Sequence, residues 1–163
     1  MSPTTERAIF ASGCFWGSEY HFKKAAGVIS TRVGYTGGDV DNPTYARVCA
    51  GGTGHAEAVE VIFDPGEISF DQLARLFFET HDPTQVDRQG PDIGEQYRSE
   101  IFYLSEAQRR TSEKLIALLK AKGNAVATRV TVATRFWPAE EIHQEYYDRK
   151  GGSPYCHFYT ERF

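Results

Sequence analysis

Cysteine is scarce in this chain, with three in 163 residues. An odd count cannot close a disulfide framework, and three is too few for the stapled scaffold of a small secreted domain. The expectation is a reducing compartment, with any cysteine chemistry catalytic or incidental. Long apolar runs are also missing. The N-terminus, Met-Ser-Pro-Thr-Thr-Glu-Arg-Ala-Ile-Phe, has no signal-peptide core, and no run approaches the ~20 residues that cross a bilayer. A cytoplasmic protein with no membrane partner is expected. Positive charge is not in excess. Lys plus Arg is 18 and Asp plus Glu is 22, a net charge of −4, so no nucleic-acid partner is expected. No internal repeat, low-complexity tract or linker interrupts the chain, which reads as one domain over 1–163, expected to be monomeric. Metal and phosphate motifs are absent as well. There is no Cys-x-x-Cys and no His-Glu-x-x-His, and Cys156 and His157 are adjacent instead of at chelating spacing. Gly34-Tyr-Thr-Gly-Gly38 lacks the lysine and helix of a phosphate loop. No metal and no cofactor are expected.

Aromatic residues are what the chain has in plenty, at 13%. That suits an aromatic-lined pocket as well as a core. Apolar patterning and turn residues predict strands at Arg7–Ser12, Val28–Gly34, His55–Phe63, Ser99–Leu104 and Val126–Thr134. Helices are predicted at Phe15–Ala26, Ser69–His81, Ser105–Lys122 and Pro138–Lys150. Ser69 with Gln72 and Ser105 with Gln108 have capping-box spacing. Asp39–Gly54 and Asp82–Tyr97 read as long loops, and Ser153–Phe163 as an irregular tail. Strands and helices mix without strict alternation, so the class is α+β, a mixed central β-sheet with helices packed on it.

Cys14 falls where a strand meets a helix. Free N–H groups and partial positive charge at a helix N-terminus favour a thiolate. Gly13 and Gly17 flank it and leave room for a substrate, while Phe15 and Trp16 would wall the sulfur. A small buried core cysteine is an equally natural reading. On the predicted strand His55–Phe63, Glu57 shares a face with Val59, Val61 and Phe63. A carboxyl stripped of water has a raised pKa and can act as a general acid. Its place near the strand mouth favours plain solvation.

Gly13-Cys14-Phe15-Trp16-Gly17 resembles the signature of the peptide methionine sulfoxide reductase A family. Ordered blocks continue the resemblance: Gly34–Gly38, Asn42–Tyr45, Gly54–Val59, His81–Gln85 and Gly90–Ser99, with looser matches at Phe136-Trp137, Ala139-Glu140, His143-Gln144 and Tyr155-Cys156. The resemblance implies a ferredoxin-like two-layer fold and reduction of methionine S-sulfoxide, free or in proteins, a repair of oxidative damage. Cys14 matches the nucleophile and Glu57 the acid that protonates the sulfoxide oxygen. Tyr45, Asp92 and Tyr97 match residues around that oxygen, and Phe15 and Trp16 the wall around the substrate methyl. Cys156 matches the resolving cysteine, which implies a Cys14–Cys156 disulfide reduced by thioredoxin. Pro91 departs from the pattern and leaves Asp92 in register. No cysteine follows Cys156, so one resolving step is expected, and Cys49 reads as a bystander. A hydrolase or acyltransferase pairing Cys14 with His55 or His157, and a non-enzymatic redox or binding module, are the competing readings.

Overall fold

The computed structural model describes residues 4–155 and 157–163. In chain order the elements are β1 (Glu6–Ser12), α1 (Phe15–Lys23), β2 (Val28–Thr36), α2 (Tyr45–Ala50), β3 (Ala56–Phe63), α3 (Phe70–Glu79), β4 (Arg88–Gln89), β5 (Asp92–Ile93), β6 (Ser99–Tyr103), α4 (Glu106–Ala121), β7 (Arg129–Val132), β8 (Trp137–Pro138) and α5 (Tyr146–Lys150). One sheet runs in the order β7-β6-β1-β3-β2-β8, and β4 and β5 form a separate hairpin. Pairing is antiparallel except between β6 and β7. The inner order β6-β1-β3-β2, with α1 after β1 and α3 after β3, is the ferredoxin-like arrangement.

Alternation along the strands divides the core by face. Phe10, Val33, Tyr35, Val59, Val61 and Phe63 point to the side of α1, α3 and α4 and form the main cluster with Phe15, Phe22, Leu73, Phe77, Leu115 and Leu119. Ile9, Ala11, Ala58 and Phe102 point to the other face, under Phe136. Ser69 caps α3 with the full reciprocal box to Gln72. Ser105 accepts from Gln108 N at α4, but the Gln108 amide turns to Leu104 N and Arg7 O. That substitutes a tie to β1 for the second half of the box.

Three regions differ from the sequence expectation. The segment 39–54 is not loop throughout. Thr44 accepts from Arg47 N and starts the six-residue α2. The segment 82–97 contains the β4–β5 hairpin and a 3-10 turn at Glu95–Tyr97. The predicted helix 138–150 is broken into β8, a 3-10 turn at Glu141–His143 and α5. The break falls at Glu145, whose φ of 53° is left-handed. Beside it the Gln144 amide docks on β2, donating to Val33 O (2.9 Å) and accepting from Val33 N (2.9 Å). Tertiary contacts override the helical pattern there. Among the described residues no helix is long and apolar enough to cross a membrane.

Candidate active site

β1 ends at Ser12, Gly13 turns with φ +92°, and Cys14 becomes the N-cap of α1. Only glycine takes that turn readily. Cys14 is buried, 7% exposed. The N–H groups of Trp16 and Gly17 lower its pKa, as the helix N-terminus predicts, but burial and then the Glu57 carboxylate raise it more. The balance lies well above the ordinary thiol range. The free protein therefore holds Cys14 as a thiol, contrary to the thiolate that local sequence suggests.

Glu57 lies on the helix face of β3, 1% exposed. Its Oε1 accepts the Phe15 N–H at 3.2 Å, one of the amides left free at the start of α1. Its Oε2 is buried and has no hydrogen-bond partner among the described residues. Burial, with the charge of Asp92 adding to it, pushes the carboxyl up to about 8, against the pull of the Phe15 N–H. At neutral pH this is a protonated carboxylic acid beside a cysteine, with one oxygen unengaged.

Three of the remaining predicted residues close the polar side. Tyr45 opens α2, its backbone N–H donating to Glu140 Oε2 at 3.0 Å. Glu140 Oε1 accepts the Tyr35 hydroxyl at 2.9 Å, so one carboxylate fixes both tyrosines. Tyr97 ends the 3-10 turn after the hairpin. Burial raises the pKa of Tyr45 and Tyr97, and Glu57 adds to both, so the hydroxyls stay protonated donors. Asp92 sits on the hairpin, where its charge reaches Cys14, Glu57 and Tyr97, and it accepts the Tyr155 hydroxyl at 2.6 Å. Cys49 is exposed on α2, on the same side as Tyr45 and Tyr97, and burial raises its thiol pKa.

The apolar side is aromatic. Phe15 lies 6.2 Å from Tyr45 between ring centroids, as does Trp16. Two further members have no role in the sequence reading, although His143 lies in one of its looser matches. His143 accepts the Trp16 indole N–H on Nδ1 at 3.1 Å and lies 4.3 Å from the Tyr45 ring. Tyr146 stacks on Trp16 at 4.0 Å and 8°. His143 and Tyr146 fell inside the predicted helix 138–150, where periodicity gave them no special role.

The glycines around Cys14 serve something other than substrate. A Cβ on Gly13 would lie 2.7 Å from Gln89 Cβ, and one on Gly17 would overlap the His157 ring. The tail fills the space expected for a substrate. His157 donates from Nε2 to Ser12 O at 2.6 Å, and burial holds its imidazole down at about 4, hence neutral. Beyond it Thr160 N donates to Glu79 O and Arg162 Nε to Phe78 O, so residues 157–163 are fastened instead of loose. Cys156 lies outside the described residues. His55 staples its own loop, accepting from Gly38 N on Nδ1 and bonding Val40 O through Nε2, so both ring nitrogens are used and neither serves Cys14. Among the described residues no cluster of His, Cys, Asp and Glu could hold a metal ion.

Comparison with known proteins gives one consistent result. The family model described as peptide methionine sulfoxide reductase matches residues 6–163. A protein of Geobacter metallireducens named peptide methionine sulfoxide reductase MsrA is 45% identical over 156 residues, covering 93% of this chain and 95% of its own. The reduced form of Mxr1 from Saccharomyces cerevisiae superposes with a TM-score of 0.91 at 36% identity, covering 96% of this chain and 93% of that one. Mxr1 in complex with Trx2 matches with a TM-score of 0.66 at 24% identity over 99% and 96% of the two chains, a likeness of fold.

Proposed function

The chain belongs to the peptide methionine sulfoxide reductase family, and on that premise we propose that Cys14, Glu57, Tyr45, Asp92, Tyr97, Phe15, Trp16 and Cys156 carry the reduction of methionine S-sulfoxide to methionine. The observation that supports this most is the Glu57 carboxyl: buried, pushed up to about 8, with Oε2 unengaged. A sulfoxide oxygen leaves only when protonated, and a neutral acid with a spare oxygen supplies that proton. Tyr45 and Tyr97 donate to the same oxygen as charge develops on it. Phe15 and Trp16 pack against the substrate methyl.

Proton transfer from Glu57 to the sulfoxide oxygen makes the sulfur electrophilic. Cys14 passes its proton to the Glu57 carboxylate left by that transfer and attacks the sulfur. The substrate S–O bond breaks as the hydroxyl passes to the Cys14 sulfur, methionine leaves, and Cys14 is left as a sulfenic acid. The substrate sulfur gains two electrons and Cys14 loses two. Cys156 then condenses with the sulfenic acid, forming the Cys14–Cys156 disulfide and releasing water. Its chain neighbours support that role: Tyr155 is held on Asp92, and His157 on the carbonyl of Ser12 two residues before Cys14. Thioredoxin reduces the disulfide by exchange, the relation suggested by the Mxr1–Trx2 complex. Residues 1–163 act as one catalytic domain in the cytoplasm.

The test is a single turnover of each sulfoxide epimer by the pre-reduced protein with no reductant left in solution, followed by peptide mapping of the disulfide formed. The expected result is methionine from the S epimer, none from Cys14→Ser, and a Cys14–Cys156 link. With Cys156→Ser the first turnover should persist while thioredoxin-driven recycling stops. Release from the R epimer alone, or full recycling in Cys156→Ser, contradicts the scheme.

A further inference from the structure

We propose that Glu19 is a positioning residue that sets the outer wall of the substrate pocket, by holding the backbone turn from which Tyr146 reaches Trp16. The inference rests on the reading that Trp16 lines that pocket.

Glu19 sits on α1 one turn after Phe15 and Trp16. Its side chain is 2% exposed, rare for a glutamate in a nine-residue helix whose neighbours Tyr20 and Lys23 are reachable by solvent. Both oxygens are used. Oε2 accepts the Thr31 hydroxyl at 2.8 Å, from β2. Oε1 accepts the backbone N–H of Glu145 at 2.7 Å, from a segment 126 residues away. Neither of these partners is a cation. Lys23, one turn further along α1, pairs instead with Glu145 and Asp148, drawing the same segment in from its solvent side.

Glu145 is the point where this segment is strained. Its φ of 53° and ψ of 43° are left-handed, which a residue with a Cβ rarely adopts. Two side chains hold it there. Gln144 grips Val33 N and O of β2 on one side. Glu19 takes the next amide on the other. The reversal brings Tyr146 flat against Trp16 at 4.0 Å, on the ring whose N–H is bonded to His143. A fluctuating Tyr146 would leave Trp16 unsupported on its outer face. The chain from Glu19 to the pocket is therefore short: carboxylate, Glu145 amide, Tyr146 ring, Trp16 ring.

The test compares Glu19→Ala with Glu19→Gln, which keeps an oxygen for the Glu145 N–H. The substrate is N-acetyl-methionine-S-sulfoxide amide. Glu19→Ala is expected to raise KM about tenfold with kcat within about twofold, the signature of lost binding without lost chemistry. Glu19→Gln should stay within about threefold of the native KM. Glu19→Asp draws the acceptor back by one methylene and serves as the second variant if the alanine form does not fold; its KM should rise as well. Tryptophan emission gives a readout independent of turnover. The chain has two tryptophans, so in a Trp137→Phe background Trp16 reports alone. Loss of the Tyr146 stack should shift and brighten its emission in Glu19→Ala, and not in Glu19→Gln. The proposal is overturned by an unchanged KM and emission in Glu19→Ala and Glu19→Asp, or by equal effects in Glu19→Ala and Glu19→Gln. A native protein that turns over no sulfoxide would sink the reductase reading, while the emission pair would still decide the role of Glu19.

Discussion

Two glutamates three residues apart on β3 have opposite fates. Glu57 faces the helices and Glu60 the other side of the sheet, and both are buried. Glu60 accepts from Arg7 at 2.6 Å and from Arg32 at 3.1 Å. Glu100, on the same far face, pairs with Arg98 at 2.7 Å. Among the described residues Glu57 accepts from one amide and pairs with no cation, and its other oxygen has no hydrogen-bond partner. The difference shows what makes an acid in this fold. Burial is common to the glutamates of both faces. What distinguishes Glu57 is that its face supplies aromatic rings where the other supplies guanidinium groups.

Exchange at each position breaks the comparison most directly. Glu57→Gln should lower the single-turnover rate by about 10²–10⁴, the usual worth of a general acid, while Glu60→Gln leaves that rate unchanged. Equal losses in the two variants would reject the assignment of the acid. The pH profile is the next largest effect. Because Glu57 is pushed up to about 8, the native rate should fall roughly tenfold per pH unit above that point, and the profile of Glu60→Gln should overlay it. A profile flat to pH 10 in both proteins contradicts a Glu57 acid.

Stability should move the other way from rate. Between the ordinary value of 4.5 and about 8 the native state holds a proton on Glu57 that the unfolded chain has released. Raising pH through that window therefore destabilises the native protein. Glu57→Gln removes the penalty. Urea unfolding should show no gain below about pH 4.5 and a gain rising to about 3–5 kcal/mol above pH 8. The smallest effect belongs to Glu60→Gln. Its arginines are partly exposed, so the loss should be about 1–2 kcal/mol and shrink in high salt.

Local signals foretold local features well. The strand-to-helix junction at Cys14, the face on which Glu57 lies and the Ser69 cap are each set by neighbours in sequence, and each appears in the fold. What stayed hidden depends on distant partners. The helix N-terminus does lower the Cys14 pKa, but the burial that outweighs it comes from the rest of the fold. Gly17 is needed for the approach of His157, 140 positions on, which no local pattern records. The segment 138–150 has helical periodicity, yet Gln144 and Glu145 are taken by Val33 and Glu19. Glu19 itself gave no sequence signal, since a buried glutamate reads like any solvated one until its partners are known.

The Gln144 amide has a consequence away from catalysis. β8 pairs with β2 only at Gly34 and Tyr35, so the backbone of Val33 would otherwise be an open rung at the sheet margin. Exposed rungs of this kind recruit strands from other molecules and seed aggregates. One carboxamide, offering a donor and an acceptor at the spacing of a peptide group, closes the rung together with Ala139 N. The residue beside the pocket wall thus also acts as a stopper, keeping the growing edge of the sheet shut to a neighbour's strand.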